Sequence, residues 1–403
     1  MSIHTIVAIV LLLLGVGVIA IAFERFVRIP YTLLLVILGF ILSLFTVALG
    51  IETGVRASNF QDLMLFILLP ALIFEAAFVL DSKLLFKYLP NVLTLATLGL
   101  LISTTVIAVF LYFGISHPGF PFIAALLTGV VISATDPVAV VGQLKQLQAP
   151  NDLNVLIEGE SLFNDATAIV LFSIILSIAL GQSEPDITSA SITFSKVFFG
   201  GIIVGSLLGY IAALLVKLIN ISVPHLVVIT LLLAYGAFYI AEHMLHVSGI
   251  VAVMCAALLF KKVARSQLAD VYTSLHSVWE SLGFIANIFV FVLLGLVVSL
   301  NMFTEMWLAI LLAIVGAFIA RIIAVYLSVW LNRFTYGQAI NPKYPPIMIW
   351  GGLRGAITIA LVLSLPTELP YWWTIQSIGF GIVLFTLIVQ ASTNPMLVRK
   401  LNI

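Results

Sequence analysis

The chain has 403 residues, of which 63% are hydrophobic and only 8% are charged, and its formal net charge is zero. Because an ordinary soluble domain carries about 25% charged residues, this composition excludes one and predicts a membrane protein with many spans. A nucleic-acid partner is not expected either, since the net charge is zero and the chain has no basic tail to neutralise phosphates. The single cysteine, Cys255, lies within an apolar run and leaves neither a disulfide framework nor a cysteine metal site.

The apolar residues form long continuous runs, which predict helical spans and not the short alternating strands of a membrane barrel. The predicted fold class is an all-α polytopic membrane protein with about 13 transmembrane helices. The first run lacks a basic leader and a cleavage site, so we expect it to be a retained span. Connections are short, so we expect one transmembrane domain over residues 1–403 with no cytoplasmic tail domain. The runs are 3–22, 30–48, 60–80, 91–113, 120–143, 154–180, 194–218, 224–242, 248–261, 282–300, 306–331, 346–364 and 374–396.

Lysine and arginine residues predict the orientation, because they collect in the cytoplasmic loops of membrane proteins. One set of loops holds Arg56 and Lys196, and two further arginines fall within spans. All the others share the opposite side, which predicts a cytoplasmic C-terminus and an N-terminus outside. These residues are Arg25, Arg28, Lys83, Lys87, Lys145, Lys217, Lys261, Lys262, Arg265, Arg333, Lys343, Arg399 and Lys400.

The fifth and twelfth runs carry helix-breaking residues at mid-depth. The fifth contains Ser133-Ala-Thr-Asp-Pro137, where the proline frees a backbone carbonyl, and the twelfth contains Trp350-Gly-Gly-Leu-Arg-Gly355. Each is the fifth span of a six-span half, and the offset of seven spans gives the two halves opposite polarity. This arrangement predicts inverted six-helix repeats with interrupted spans 5 and 12, and a transport site near the bilayer centre.

The sixth run begins with three carboxylates, a serine and an asparagine. On a helical wheel Glu160 and Asn164 fall together, and Ser161 and Asp165 fall together beside them. Glu158 and Glu160 also suit the wet start of a helix, where acids favour the dipole, and Glu158 stays unassigned. Asp165 lies well inside the apolar run, so that reading does not cover it.

A charged group at the centre of a span costs about 2.5–3.5 kcal/mol on insertion scales, so each one needs a partner, water or an ion. Four acids are candidates for this depth: Glu75, Asp136, Glu160 and Asp165. Arg354 cannot lose its proton and therefore needs a permanent carboxylate. Asp165 has no obligatory partner and is the acid that we expect to alternate between protonated and ion-bound forms. Another arginine, at position 321, is expected to snorkel or pair, without a transport role.

Four motifs in a fixed order resemble the monovalent cation/proton antiporter superfamily, specifically its sodium/proton exchanger branch of the NhaP type. They extend over nearly the whole membrane region and are specific when taken together. The motifs are Ala134-Thr-Asp-Pro-Val-Ala139, Glu158-Gly-Glu-Ser-Leu-Phe-Asn-Asp165, Trp279-Glu-Ser-Leu-Gly-Phe284 with Leu294-Gly-Leu296, and Gly351-Gly-Leu-Arg-Gly-Ala356.

Position by position, the resemblance implies that Asp165 binds a cation and protons in turn. Ser161, Asp136 and the Thr135 carbonyl would complete a Na⁺ site, with Glu75 close by. An all-oxygen shell of this kind suits a hard cation.

The resemblance also implies that Glu160 is the permanent partner of Arg354 and that Asn164 holds the broken fifth span by hydrogen bonds. Asn164 in place of a second aspartate, and Arg354 in place of lysine, resemble the electroneutral branch. The expected activity is therefore exchange of one Na⁺, and also Li⁺, for one H⁺.

The function expected from the resemblance is a secondary antiporter with alternating access, which is not an enzyme and needs no cofactor. We expect a homodimer in the lipid bilayer, in the plasma (inner) membrane of a prokaryote. The scaffold and dimer part would be about 1–80 and 194–300, and the ion-carrying core about 91–180 and 306–396. A K⁺/H⁺ antiporter of the same family stays open, as does a cation channel. An intramembrane aspartyl protease would also need two buried aspartates, but the G-x-G-D signature of one such family is absent.

Overall fold

The structure is a computed structural model, and it describes residues 3–24, 26, 29–48, 63–184, 186–218, 222–337 and 340–403. Every regular element within these ranges is a helix, which confirms the all-α class. Eight of the described helices are long and apolar enough to cross a membrane, by length and composition. Arg25, Arg28 and Arg56, which contribute to the predicted orientation, lie outside the described residues, as does the start of the third run.

We number the helices of the described chain in order. The first nine are α1 (Ile3–Glu24), α2 (Tyr31–Ala48), α3 (Leu63–Val79), α4 (Ser82–Ile115), α5 (Phe122–Val131), α6 (Val138–Gln146), α7 (Asn151–Ala179), α8 (Ile187–Leu218) and α9 (Val223–Met244). The others are α10 (Gly249–Val263), α11 (Arg265–Leu268), α12 (Tyr272–Val297), α13 (Leu300–Glu305), α14 (Trp307–Tyr336), α15 (Tyr344–Trp350), α16 (Ala356–Leu363) and α17 (Trp372–Lys400).

The predicted apolar runs fall on these helices, and the main differences lie at two helix starts. Helix α4 begins at Ser82, although its apolar run begins at 91, and α12 begins at Tyr272, although its run begins at 282. The first turns of both helices carry polar and charged residues, which a hydropathy profile excludes. A helical backbone accepts such residues without cost, because they occupy the face that meets water.

Both predicted interruptions occur where the sequence places them. Helices α5 and α6 divide the fifth span around residues 132–137, because Pro137 has no N–H to continue the helix. Helices α15 and α16 divide the twelfth span around residues 351–355, where three of the five residues are glycine. Each of these two predicted spans is therefore a pair of short helices with a non-helical segment between them.

The chain divides into two compact units. The first unit, Met1–Met64, Pro90–Ala168 and Asn287–Ile403, contains both broken spans. Within it, helix α2 and the end of α12 touch through glycines: a Cβ at Gly39 would lie 2.3 Å from the Val292 carbonyl oxygen. The described residues up to Met64 thus belong to the unit that contains the helix breaks, whereas the sequence division groups 1–80 with 194–300. That division concerns which part carries the ion, and it stays a prediction.

The second unit comprises Leu65–Leu89 and Ile169–Ala286. Its helices α8 and α10 pack closely through glycines spaced four residues apart, which is typical of helix pairs in membranes. A Cβ at Gly205 would lie 2.1 Å from the Ala252 carbonyl oxygen, so no larger residue fits there. The fully buried Trp279 donates a 3.1 Å hydrogen bond to the Thr230 hydroxyl and fixes α12 against α9.

Candidate ion site at the two helix breaks

The break in the fifth span leaves backbone carbonyls without helical partners, and side chains from other helices supply donors. The Thr358 hydroxyl donates to the Val131 oxygen at 3.2 Å. Arg354 Nη1 donates to the Ser133 and Ala134 oxygens at 3.1 and 3.0 Å. Because a helix ends in partial negative charge, the buried guanidinium group stabilises the C-terminal end of α5.

Helix α7 supplies the remaining donors to this break, from the two pairs that the helical wheel predicts. Asn164 Nδ2 donates to the Ser133 oxygen at 3.3 Å and lies 3.4 Å from the Thr135 hydroxyl. One turn away, the Ser161 hydroxyl donates to the Thr135 carbonyl. The structure therefore brings Asn164, Ser161 and Thr135 together at the break, as the sequence predicts.

Asp136 joins the two breaks. Its Oδ1 accepts from the Val138 N–H at 2.9 Å, at the start of α6, and its Oδ2 accepts from the Ala356 N–H at 3.1 Å, at the start of α16. Its own N–H donates to the Leu353 carbonyl at 2.8 Å. The carboxylate thus caps the positive ends of two half-helices at once, which sequence reasoning did not predict.

The contact between the breaks explains why position 355 is glycine. A Cβ at Gly355 would lie only 1.8 Å from Asp136 Oδ2. We expect Gly355→Ala to lower the stability by about 1–3 kcal/mol or more, because the crossing must open to admit the methyl group. Thermal unfolding of the purified protein in detergent would measure this change.

Gly142→Ala is the matched control, because no heavy atom lies within 4 Å of a Cβ at that helical position. There alanine should raise stability slightly, by at most about 1 kcal/mol. If the two variants unfold at the same temperature, the crossing does not have this geometry.

The predicted pairing of Glu160 with Arg354 is wrong in this structure, because Glu160 pairs with Arg321. The Glu160 side chain is 1% exposed, and both of its oxygens accept hydrogen bonds from the Arg321 guanidinium group, at 2.9 Å for Oε2 with Nη2. The same guanidinium group donates to the Met348 carbonyl at 3.0 and 3.2 Å. Arg321 therefore holds the C-terminal end of α15 much as Arg354 holds that of α5.

The sequence analysis left Arg321 either to snorkel or to pair and assigned it no partner, although the signal for one was present. An arginine deep in an apolar run needs a permanent carboxylate, and this argument applies to residue 321 as well as to residue 354. Either Arg321 or Arg354 could pair with Glu160, and spacing along the chain does not show which of them does. In the structure the Ser133 and Ala134 carbonyls accept the hydrogen bonds of Arg354, so Arg354 needs no carboxylate and Glu160 pairs with Arg321.

Asp165 differs from the other carboxylates of the first unit. The residue is 8% exposed, and Oδ2 lies 3.5 Å from the Ser161 hydroxyl. Its Oδ1 is buried and has no hydrogen-bond partner within the part of the chain that the structure describes. By contrast, both carboxylate oxygens of Asp136 and both of Glu160 accept hydrogen bonds. The unsatisfied Oδ1 of Asp165 can therefore take up a proton or contribute to binding a cation.

Two further acids lie elsewhere. Glu75 is on α3 in the second unit, where a Cβ at Gly283 would be 2.9 Å from its carboxyl carbon; its place near the ion stays a prediction. Glu158, unassigned from the sequence, forms a 3.3 Å salt bridge with Lys145 of α6. Since both side chains are partly exposed, Glu158 belongs to the wet end of α7.

Comparison with known proteins places the chain among membrane transporters. The family described as sodium/hydrogen exchanger, transmembrane, matches residues 8–400. The Na(+)/H(+) antiporter NhaH of Halobacillus dabanensis is 32% identical over 411 residues, covering 99% of this chain and 98% of that protein. The Na(+)/H(+) antiporter NhaP of Pseudomonas aeruginosa is 33% identical, with 94% and 92% of the two chains covered.

A solved structure shares the fold. The sodium proton antiporter MjNhaP1 of Methanocaldococcus jannaschii superposes with a TM-score of 0.83 at 23% identity, covering 100% of this chain and 99% of that one. The resemblance that the four motifs indicate is thereby confirmed. The chain is an integral membrane protein, and it belongs to the sodium/hydrogen exchanger family.

Proposed function

We propose that the protein exchanges Na⁺ for H⁺ across a membrane, with Asp165 as the group that binds each in turn. The observation that carries this proposal is the buried Asp165 Oδ1, which has no hydrogen-bond partner among the described residues. An unsatisfied buried oxygen costs about 1–3 kcal/mol, and a bound proton or cation removes that cost. The named activities of the relatives in Halobacillus and Pseudomonas support the same exchange.

The cation would meet an all-oxygen shell. The Asp165 carboxylate, the Ser161 hydroxyl and the Thr135 carbonyl adjoin one another, since Ser161 donates to Thr135 and faces Asp165. Asp136 is the fourth proposed ligand: each of its oxygens accepts one backbone N–H and keeps a lone pair for an ion. Oxygen ligands suit hard cations such as Na⁺ and Li⁺.

The buried charges support one-for-one, electroneutral exchange. Glu160 and the partly buried Asp136 carry two negative charges, and the buried Arg321 and Arg354 carry two positive charges, all within one unit. These four cancel, so the site is neutral when Asp165 holds either one proton or one monovalent cation. Empty Asp165 leaves a net negative charge, which is costly to carry through a low-dielectric barrier. Only the loaded forms would cross, and exchange would stay coupled.

We also propose the number of spans, the oligomeric state, the orientation and the membrane of this protein from its membership of the family. We assign 13 spans in inverted six-helix repeats, a homodimer, alternating access, a cytoplasmic C-terminus, and the plasma membrane of a prokaryote. The two interrupted spans, seven spans apart, support the repeats, and the lysine and arginine distribution supports the orientation.

Proteoliposomes with an imposed pH gradient test the proposal. We expect external Na⁺ and Li⁺ to dissipate the gradient and K⁺ to have little effect. Clamping the membrane potential at zero should leave the rate unchanged, because the exchange moves no net charge. A cation current without a pH gradient would identify a channel instead, and a response to K⁺ that exceeds the response to Na⁺ would identify a K⁺/H⁺ antiporter.

A further inference from the structure

The second unit contains a basic cavity at the ends of its helices. The cavity has a volume of about 670 Å³ and lies where α3 and α10 end and where α4 and α12 begin. This volume is within the usual range for small-molecule sites, about 300–1,000 Å³. The charged residues that line it are Asp81, Lys83, Lys261, Lys262 and Arg265.

Two of these charged side chains form hydrogen bonds with backbone groups at the ends of helices. Lys261 Nζ donates to the Phe78 and Leu80 carbonyls at 2.6 and 2.8 Å, and so stabilises the C-terminal end of α3. Asp81 Oδ1 accepts from the backbone N–H groups of Lys83 and Leu84 at 2.9 and 3.2 Å, and so caps the start of α4. Asp81 keeps its negative charge, so the four cations and one carboxylate of the lining sum to +3.

Three cations remain around the cavity. Within the described part of the chain, Lys83, Lys262 and Arg265 form no salt bridge with a carboxylate. All three are exposed, and Lys262 Nζ lies 4.5 Å from the centroid of the Phe86 ring. A concave surface with an excess of one sign of charge focuses its field and concentrates ions of the opposite sign. The cavity is therefore built to attract an anion.

We propose that this cavity binds a phosphate-bearing anion, namely the headgroup of an anionic phospholipid. Lysine and arginine side chains are the usual phosphate ligands. Val79, Phe86 and Leu268 give the same cavity apolar walls, which a bare inorganic anion would not use but a glycerol backbone and acyl chain would. Its position at the ends of apolar spans is the level at which headgroups lie, and basic pockets there recognise such headgroups.

The test is lipid binding to the purified full chain in mild detergent, measured by native mass spectrometry. Phosphatidylglycerol should bind more tightly than phosphatidylcholine. The cavity variant Lys83→Gln/Lys262→Gln/Arg265→Gln should bind phosphatidylglycerol about 10–100-fold more weakly. Each of the three cations attracts the anionic headgroup, and the variant removes all three attractions. The charge-matched control Lys217→Gln/Arg399→Gln/Lys400→Gln alters exposed helix-end cations outside the cavity and should bind as the unmodified protein does.

Further measurements distinguish a lipid headgroup from soluble phosphate and from unspecific binding. If inorganic phosphate protects the protein against thermal unfolding as well as phosphatidylglycerol does at equal concentration, the ligand is a soluble phosphate and not a lipid. Equal weakening in the cavity and control variants, or no preference for phosphatidylglycerol, would overturn the site. Should the triple variant fail to fold, the exposed single change Arg265→Glu replaces it, with an expected weakening of about tenfold.

Discussion

Asp165→Asn should reduce sodium-dependent proton exchange to the leak of protein-free vesicles. The amide keeps the shape of the side chain but neither takes up a proton nor carries the negative charge that holds a cation. The site would then have no group that binds Na⁺ and H⁺ in turn. The measurement is proton flux in proteoliposomes under an imposed pH gradient, with Na⁺ added outside.

Glu158→Gln is the matched control, because it removes a carboxylate seven residues earlier on the same helix. Glu158 pairs with Lys145 at the wet end of α7 and has no place among the proposed ligands. Exchange should continue in this variant at a rate close to that of the unmodified protein. Substantial sodium-dependent flux through Asp165→Asn would refute Asp165 as the exchanging group.

Arg321→Ala should be among the most destabilising single changes in the first unit. Removing one partner of a buried ion pair leaves the other as an uncompensated charge, at a cost of about 3–5 kcal/mol. Here the stranded group is Glu160, 1% exposed, and the Met348 carbonyl loses its donor at the same time. Thermal unfolding and the yield of monodisperse protein in detergent would report the loss.

Arg354→Ala provides the comparison. It removes hydrogen bonds to the Ser133 and Ala134 carbonyls but strands no carboxylate, so its cost should be smaller. Replacing both Glu160 and Arg321 by residues of similar volume, Glu160→Leu with Arg321→Met, should recover part of the stability lost in Arg321→Ala. If Arg354→Ala proves the more damaging change, Glu160 pairs with Arg354, as the sequence had predicted.

The features that follow from local chemistry were predictable from the sequence. Pro137 and the glycines around residue 351 mark the two breaks, since neither depends on distant contacts. The positions of Ser161 and Asn164 relative to Asp165 follow from helical periodicity alone, and the structure shows both side chains at the break.

The features that depend on how helices cross were not predictable. The choice of Arg321 as the partner of Glu160 depends on where the half-helix α15 ends, and no spacing in the sequence encodes that position. Likewise, residues 136 and 356 are far apart along the chain, so their contact required the folded crossing. The early start of α12 was missed for a different reason, because its polar first turns conceal a helix from a hydropathy profile.

The two hydrogen bonds of the Asp136 carboxylate change how variants at this position should be interpreted. An asparagine there has only one carbonyl oxygen, so it can accept from Val138 or from Ala356 at these positions but not from both. One half-helix would lose its cap whether or not any ion is present. Inactivity of an Asp136 variant therefore does not identify Asp136 as an ion ligand, and such a variant is informative only when its crossing is shown to be intact.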